Sequence, residues 1–285
     1  MRRKLIKQGL GGVTLSLPIK WIRNNNLTPG DEISLEEEEN KLILSNVGKK
    51  GIKKKEFNIE ITDKKHLRSI ISSTYKTGCT EIILKSNKKV PLKQINEIIS
   101  SFTGLELVDQ SEKSVTIKSF ILTDEQGIEK LMIKMFQITQ SIASSFVDKN
   151  SDLEYTKNLA LINMRKLRDH CLRTININRY GGDKTYDYYD LVTVLEKLSS
   201  EFYDLNKTVE KNKQNTAFSN ILINLEKTYL AFLKKDLTYS NTVWLNVEKE
   251  KNRIKELTPS LINMYNYRII QLLRHLSSRV VSLST

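Results

Sequence analysis

The chain has 285 residues, and its 46 lysines and arginines outnumber 33 aspartates and glutamates, for a formal charge of +13. That length suffices for two or three domains, and the charge favours nucleic acid, an anionic membrane surface or an acidic protein as partner. The two cysteines, Cys79 and Cys171, form no CxxC, which argues against a disulfide framework or a thiolate zinc site and for a reducing cytoplasm.

No apolar run approaches the ~18 residues of a spanning helix, so no membrane insertion is expected. The basic stretch Met1–Gly9 is interrupted too early to be a signal peptide, and the expected location is the cytoplasm. His66, His170 and His275 stand apart from one another, a pattern of surface or satisfied helix residues rather than metal ligands.

Residues 1 to 48 read as short strands and turns. Val13-Thr14-Leu15-Ser16-Leu17 alternates with period two, as a half-buried strand does, and Pro18 ends it. Ile19 to Asn26 can form a short helix with Trp21 and Ile22 as its apolar residues. Leu27-Thr28-Pro29-Gly30-Asp31 is a turn, because proline fixes φ and glycine permits a positive φ. Glu32–Leu35 and Leu42–Leu44 read as strands around an acidic turn, Glu36 to Asn40. Gly48 to Lys55 is basic and glycine-bearing, either a solvated connector or a phosphate contact.

Residues 56 to 122 predict a small α/β domain. Phe57, Ile59 and Ile61 alternate as a strand, Lys64–Lys76 reads as a helix stopped by Gly78, and Glu81–Lys85 is a second strand. Pro91 opens another helix running to Gly104. Leu105–Val108 and Val115–Ile117 close a β-α-β-α-β-β order, a sheet with helices on one face.

Residues 123 to 285 read as about six helices. Ile128, Leu131, Met135, Ile138, Ile142 and Phe146 form one core stripe; Leu191, Val194, Leu195, Leu198, Phe202 and Leu205 a second. Phe218, Ile221, Leu222, Leu225, Tyr229 and Phe232 form a third; Ile262, Tyr265, Ile269, Leu272, Leu273, Leu276 and Val280 a fourth. Ser151–Glu154 reads as a capping box, Gly181-Gly182 as a helix stop, and Thr258-Pro259 as a cap with proline at the first helical position. Leu195–Ser200 recurs in form 78 residues later as Leu273–Ser278, as two three-helix halves would produce.

The charge is placed where a polyanion contact would need it. Residues 1 to 25 hold Arg2, Arg3, Lys4, Lys7, Lys20 and Arg23 and no acidic residue. Lysine and arginine on phosphates release counterions, and arginine can read guanine through a bidentate pair. Gly11-Gly12 makes either a tight turn or a close approach to phosphate. A segment of this size cannot bury its apolar set (Val13, Leu15, Leu17, Trp21, Ile22 and others) alone, so an intertwined homodimer is expected.

The pattern Lys7-Gln8-Gly9 … Thr14–Pro18 … Trp21-Ile22 … Leu27–Ile33 … Leu42–Leu44 resembles the AbrB/MazE/SpoVT swapped-hairpin DNA-binding domain over about 45 residues. The resemblance implies a dimer exchanging β-hairpins, with Arg23 where such domains place a basic contact. It also admits an antitoxin, although a helical region of over 200 residues is long for one.

The helical region, with Leu172–Asn176, Tyr188-Tyr189 and Leu195–Ser200, resembles the archaeal PhoU-type phosphate-uptake regulators, two three-helix bundles. Members of that family carry acidic motifs that bind metal clusters. Here Ser199-Ser200 and Ser277-Ser278 stand in place of Gly-Asp, Arg274 in place of the second glutamate, and Arg165 at an earlier acidic position, while Glu196 remains. Serine is a poor ligand for hard metals and arginine is none, so no metal or other cofactor is expected. Asp183, Asp187 and Asp190 cluster near a helix start, where they favour the dipole.

No catalytic constellation appears, and the chain reads as a non-enzyme. The architecture expected is a DNA-binding domain over 1–48, a small α/β domain over 56–122 and a PhoU-like helical domain over 123–285. The expected function is homodimeric transcriptional regulation linked to phosphate uptake or signalling. The alternative is a protein–protein adaptor of a phosphate transporter or kinase without DNA binding.

Overall fold

The structure is a computed structural model that describes residues 2–9, 11–38, 41–46, 53–60, 63–121, 127–145, 152–209 and 216–285. The chain divides into two compact units, Met1–Lys53 and Lys54–Thr285.

The first unit holds two hairpins and one short helix. Strands β1 (Leu5–Gln8) and β2 (Gly12–Leu15) pair antiparallel, as do β3 (Ile33–Glu38) and β4 (Lys41–Asn46). The hairpins are separate two-stranded sheets. Gly9 has φ +63, and a Cβ on Gly12 would meet the Gln8 carbonyl oxygen at 2.9 Å. These glycines thus serve the tight turn. Helix α1 (Ile19–Asn24) follows Pro18, whose carbonyl accepts from Trp21 and Ile22. The Thr28–Asp31 turn closes when the Asp31 carboxylate accepts from the Thr28 backbone N–H at 2.6 Å, with Gly30 at φ +102. The expected acidic turn is corrected: β3 continues through Glu38, because cross-strand pairing with β4 extends to Glu38 opposite Lys41.

The second unit begins with the β-α-β-α-β-β segment: β5 (Lys54–Asn58), α2 (Lys64–Lys76), β6 (Glu81–Lys85), α3 (Leu92–Ile99), β7 (Leu105–Gln110) and β8 (Ser114–Ser119). The sheet order is β5-β6-β8-β7, with β5 and β6 parallel and the other pairs antiparallel. Lys54 and Lys55, expected in the connector, are instead strand residues on the sheet edge, where lysine blocks further pairing. Ile61 lies outside the described residues. Ile82, Leu84, Val115 and Ile117 from the sheet bury against Leu67, Ile71 and Tyr75 of α2 and Ile95 and Ile98 of α3. The alternate strand positions carry a charge ladder instead, with Glu81 paired to Lys54 at 3.1 Å and Lys118 at 3.5 Å.

Six helical rods follow among the described residues. They are α4 (Ile128–Ser144); α5 (Leu153–Asn158), continuing through a π-helical turn, Leu159–Asn163, into α6 (Met164–Asn178); α7 (Thr185–Thr208); α8 (Thr216–Lys234); α9 (Leu237–Lys255); and α10 (Leu261–Ser284). Their stripes close one core, with Leu191, Leu195, Leu198, Phe202, Ile269, Leu273 and Leu276 fully buried. Phe146 and the side chain of Phe218 lie outside the described residues.

Two expected caps are corrected. Asp152 caps α5 by accepting from the Glu154 and Tyr155 N–H groups, while Ser151 of the expected capping box lies outside the described residues. Ser260, not Thr258, caps α10 by accepting from Asn263. In each case a residue one or two places nearer the first helical turn reaches its free N–H groups.

The α/β segment docks on the helices through α2, which lies along α6. Gly78 makes this contact possible: its φ is +82, and a Cβ there would sit 2.6 Å from Cγ1 of Ile177. Gly78→Ala is expected to destabilise this unit by about 1–3 kcal/mol, combining positive-φ strain with displacement of Ile177. Urea unfolding followed by circular dichroism checks it; an unchanged midpoint would show the turn to be free of this contact.

Candidate nucleic-acid interface

The six basic residues picked out in the sequence all lie in the first unit and all are exposed. Arg2, Arg3 and Lys4 form the extended lead into β1, and Lys7 sits in β1 opposite Val13. Lys20 and Arg23 are three residues apart on α1 and so share one helix face. Trp21 and Ile22 are half-buried and anchor the helix. None of the six forms an ion pair with a described residue, so their charge is available to a ligand.

Beside this charge lies apolar surface with no cover. One face of the first hairpin carries Leu5, Val13 and Leu15, 71%, 61% and 43% exposed. One face of the second carries Ile33, Leu35, Leu42 and Leu44, with Leu35 at 57% and Leu42 at 58%. No described residue of the unit is fully buried. A lone two-stranded hairpin is marginal in water, so these faces call for further strands.

The helical part carries a different set of charges. Glu196 accepts Arg168 Nη1 at 3.0 Å on one oxygen and Arg165 Nε at 3.3 Å on the other. Both carboxylate oxygens are thus taken by guanidinium groups, which a cation cannot share. Ser199 is buried and bonds to Thr139 at 2.8 Å. Arg274 pairs with Glu248 and stacks on Trp244. No cluster of three or more metal-capable side chains occurs among the described residues. Asp187 accepts from Arg279 and Ser282, each at 2.7 Å, and Asp190 lies 2.6 Å from Nε2 of His275. These acids tie α7 to α10.

Sequence reasoning missed the seam between α2 and α6. Arg173, only 2% exposed, donates through Nη1 to the carbonyls of Tyr75 at 2.7 Å and Cys79 at 2.8 Å, and lies 4.7 Å from the centre of the Tyr75 ring. Burial lowers its pKa and pushes the Tyr75 hydroxyl up to about 12. Asp169, fully buried, accepts from Arg168 at 2.8 and 3.0 Å. Burial tends to lower the pKa of Arg168, but the carboxylates of Asp169 and Glu196 outweigh it and raise the value. The spacing of Arg165, Arg168, Asp169 and Arg173 at i, i+3, i+4 and i+8 was the available signal: it places all four near one helix face. Burial likewise raises the Cys171 thiol to about 12, which leaves it inert near neutral pH.

No described helix is long and apolar enough to cross a membrane. Comparison with protein-family models, curated proteins and solved structures finds no match for this chain.

Proposed function

We propose that this chain is a homodimeric, DNA-binding transcription regulator whose helical part conveys a phosphate-related signal. The observation that carries the reading is in the first unit: two lone hairpins with uncovered apolar faces, beside an exposed segment with six basic residues and no acid before residue 25. A second copy supplies the missing strands, and hairpin exchange of the AbrB/SpoVT kind is the arrangement that the sequence resemblance implies. Two copies then present two basic faces to one duplex about a two-fold axis. The six helical rods, divided three and three, fit the PhoU-like reading of the rest.

The test is DNA binding by fluorescence anisotropy across a salt series. It compares the full chain with a variant in which Arg2, Arg3, Lys4, Lys7, Lys20 and Arg23 are glutamine. Each phosphate neutralised adds about −0.9 to the slope of log K against log salt. The native chain should show a steep slope that the variant largely loses. Equal slopes, or no binding by either, would remove the DNA-reading role.

The adaptor reading has its own observation. Leu237, Trp244, Leu245, Leu261 and Met264 are 42% to 56% exposed on α9 and α10, apolar side chains that a protein partner would cover. It becomes the better reading if the six substitutions leave function intact in cells.

A further inference from the structure

The seam between α2 and α6 carries more cations than its acids can neutralise. Three guanidinium groups, Arg68, Arg165 and Arg168, meet two carboxylates, Asp169 and Glu196. Arg168 is fully engaged by both acids. Arg68 lies over the Phe102 ring, donates to Ser101 and stands 3.9 Å from Asp169. Arg165 is different: only its Nε has a partner, and its two terminal nitrogens bond to no described residue. Its side chain is 42% exposed, so the free fork is open to solvent.

Two further features mark this place. The π-helical turn Leu159–Asn163 ends two residues before Arg165. Such turns alter the helical phase and recur at functional sites. In addition, burial lowers the pKa of Arg68 and Lys76; the Asp169 carboxylate opposes this in both, and the nearby guanidinium groups reinforce it. The seam is a region of surplus positive potential.

The geometry points to a binding site for a small tetrahedral oxyanion, inorganic phosphate or the terminal group of a small phosphomonoester, held by the free fork of Arg165 with Arg68 beside it. Arg168, pinned by Asp169 and Glu196, forms a fixed positive wall behind the anion. A planar guanidinium fork matches two oxygens of such an anion. Because the site bridges the α/β segment and the helical rods, its occupation tightens their docking. This inference rests on the helical part being the sensing half, but is independent of whether the first unit binds DNA.

The experiment is isothermal titration of the full chain with inorganic phosphate, and separately with glycerol phosphate, at fixed ionic strength in chloride. One saturable site per chain is expected, with Kd below about 1 mM. The heat should be lost in Arg165→Ala and in Arg68→Ala. It should persist in the variant with six N-terminal glutamines, which excludes binding at the first unit. The unfolding midpoint should rise with phosphate in the native chain and not in Arg165→Ala, whose circular dichroism should match that of the native chain. Saturation by phosphate alone identifies the free anion; saturation by both identifies the shared phosphoryl group. Absence of saturable heat with either ligand, or undiminished heat in Arg165→Ala, overturns the proposal. DNA anisotropy on the same samples reports the DNA-binding role separately, so each can fail alone.

Discussion

Replacing Arg173 with leucine is expected to destabilise residues 54–285 by about 3–5 kcal/mol, lowering the thermal midpoint by roughly 10 °C. The side chain is almost completely buried and joins two parts of the unit. Its guanidinium satisfies the carbonyls of Tyr75 and Cys79 at the end of α2, from a position on α6. Leucine removes two bonds from a charged donor, each worth about 1.5–3 kcal/mol, and leaves the Tyr75 carbonyl with the Gly78 N–H at 3.0 Å. It also removes the stacked face over Tyr75. Arg173→Lys retains the charge but not the planar fork, and should recover only part of the loss. Tyr75→Phe serves as a control for ring packing, because it removes only the hydroxyl that donates to Thr103 at 2.9 Å. A midpoint within about 1 °C of native for Arg173→Leu would show that water replaces the guanidinium and that the seam is not held by it.

The core was more legible than the charges because the two obey different rules. Every member of the stripe from Leu191 to Leu205 is fully buried, since leucine at helical spacing has one face to hide and one way to hide it. The helix over Lys64–Lys76 is also found at its expected bounds, stopped by Gly78. Strand β1 was not legible: Leu5-Ile6-Lys7-Gln8 does not alternate, and it lies in a hairpin that buries neither face within the unit. Arg173 was hidden for the opposite reason. Arginine is seldom fully buried, and the carbonyls that hold it are about a hundred residues away in sequence. The π-helical turn leaves no compositional mark, and no sequence pattern sets Arg165 against Glu196, 31 residues away. The expected basic residues were found exposed; that their neighbours are uncovered leucines, not a core, came from the structure.

Those leucines give the second large effect. A chain carrying both Leu35→Glu and Leu42→Glu should sediment as a monomer where the native chain sediments as a dimer. The two residues share one face of the second hairpin, and carboxylates there would have to be buried against a second copy. The substitutions remove no positive charge, so a monomer should retain weak, salt-sensitive DNA binding. What it loses is the second basic face on the same duplex. Joining two faces typically raises affinity by about 10²–10⁴-fold, so the variant should bind weaker by that order. Its salt slope should also fall to about half the native value, because half the phosphates are neutralised per complex. The two readouts separate two causes. Weaker binding with an unchanged slope would mean that the hairpin touches DNA directly; a native chain that is already monomeric would leave the apolar faces to a different partner and end the dimer account.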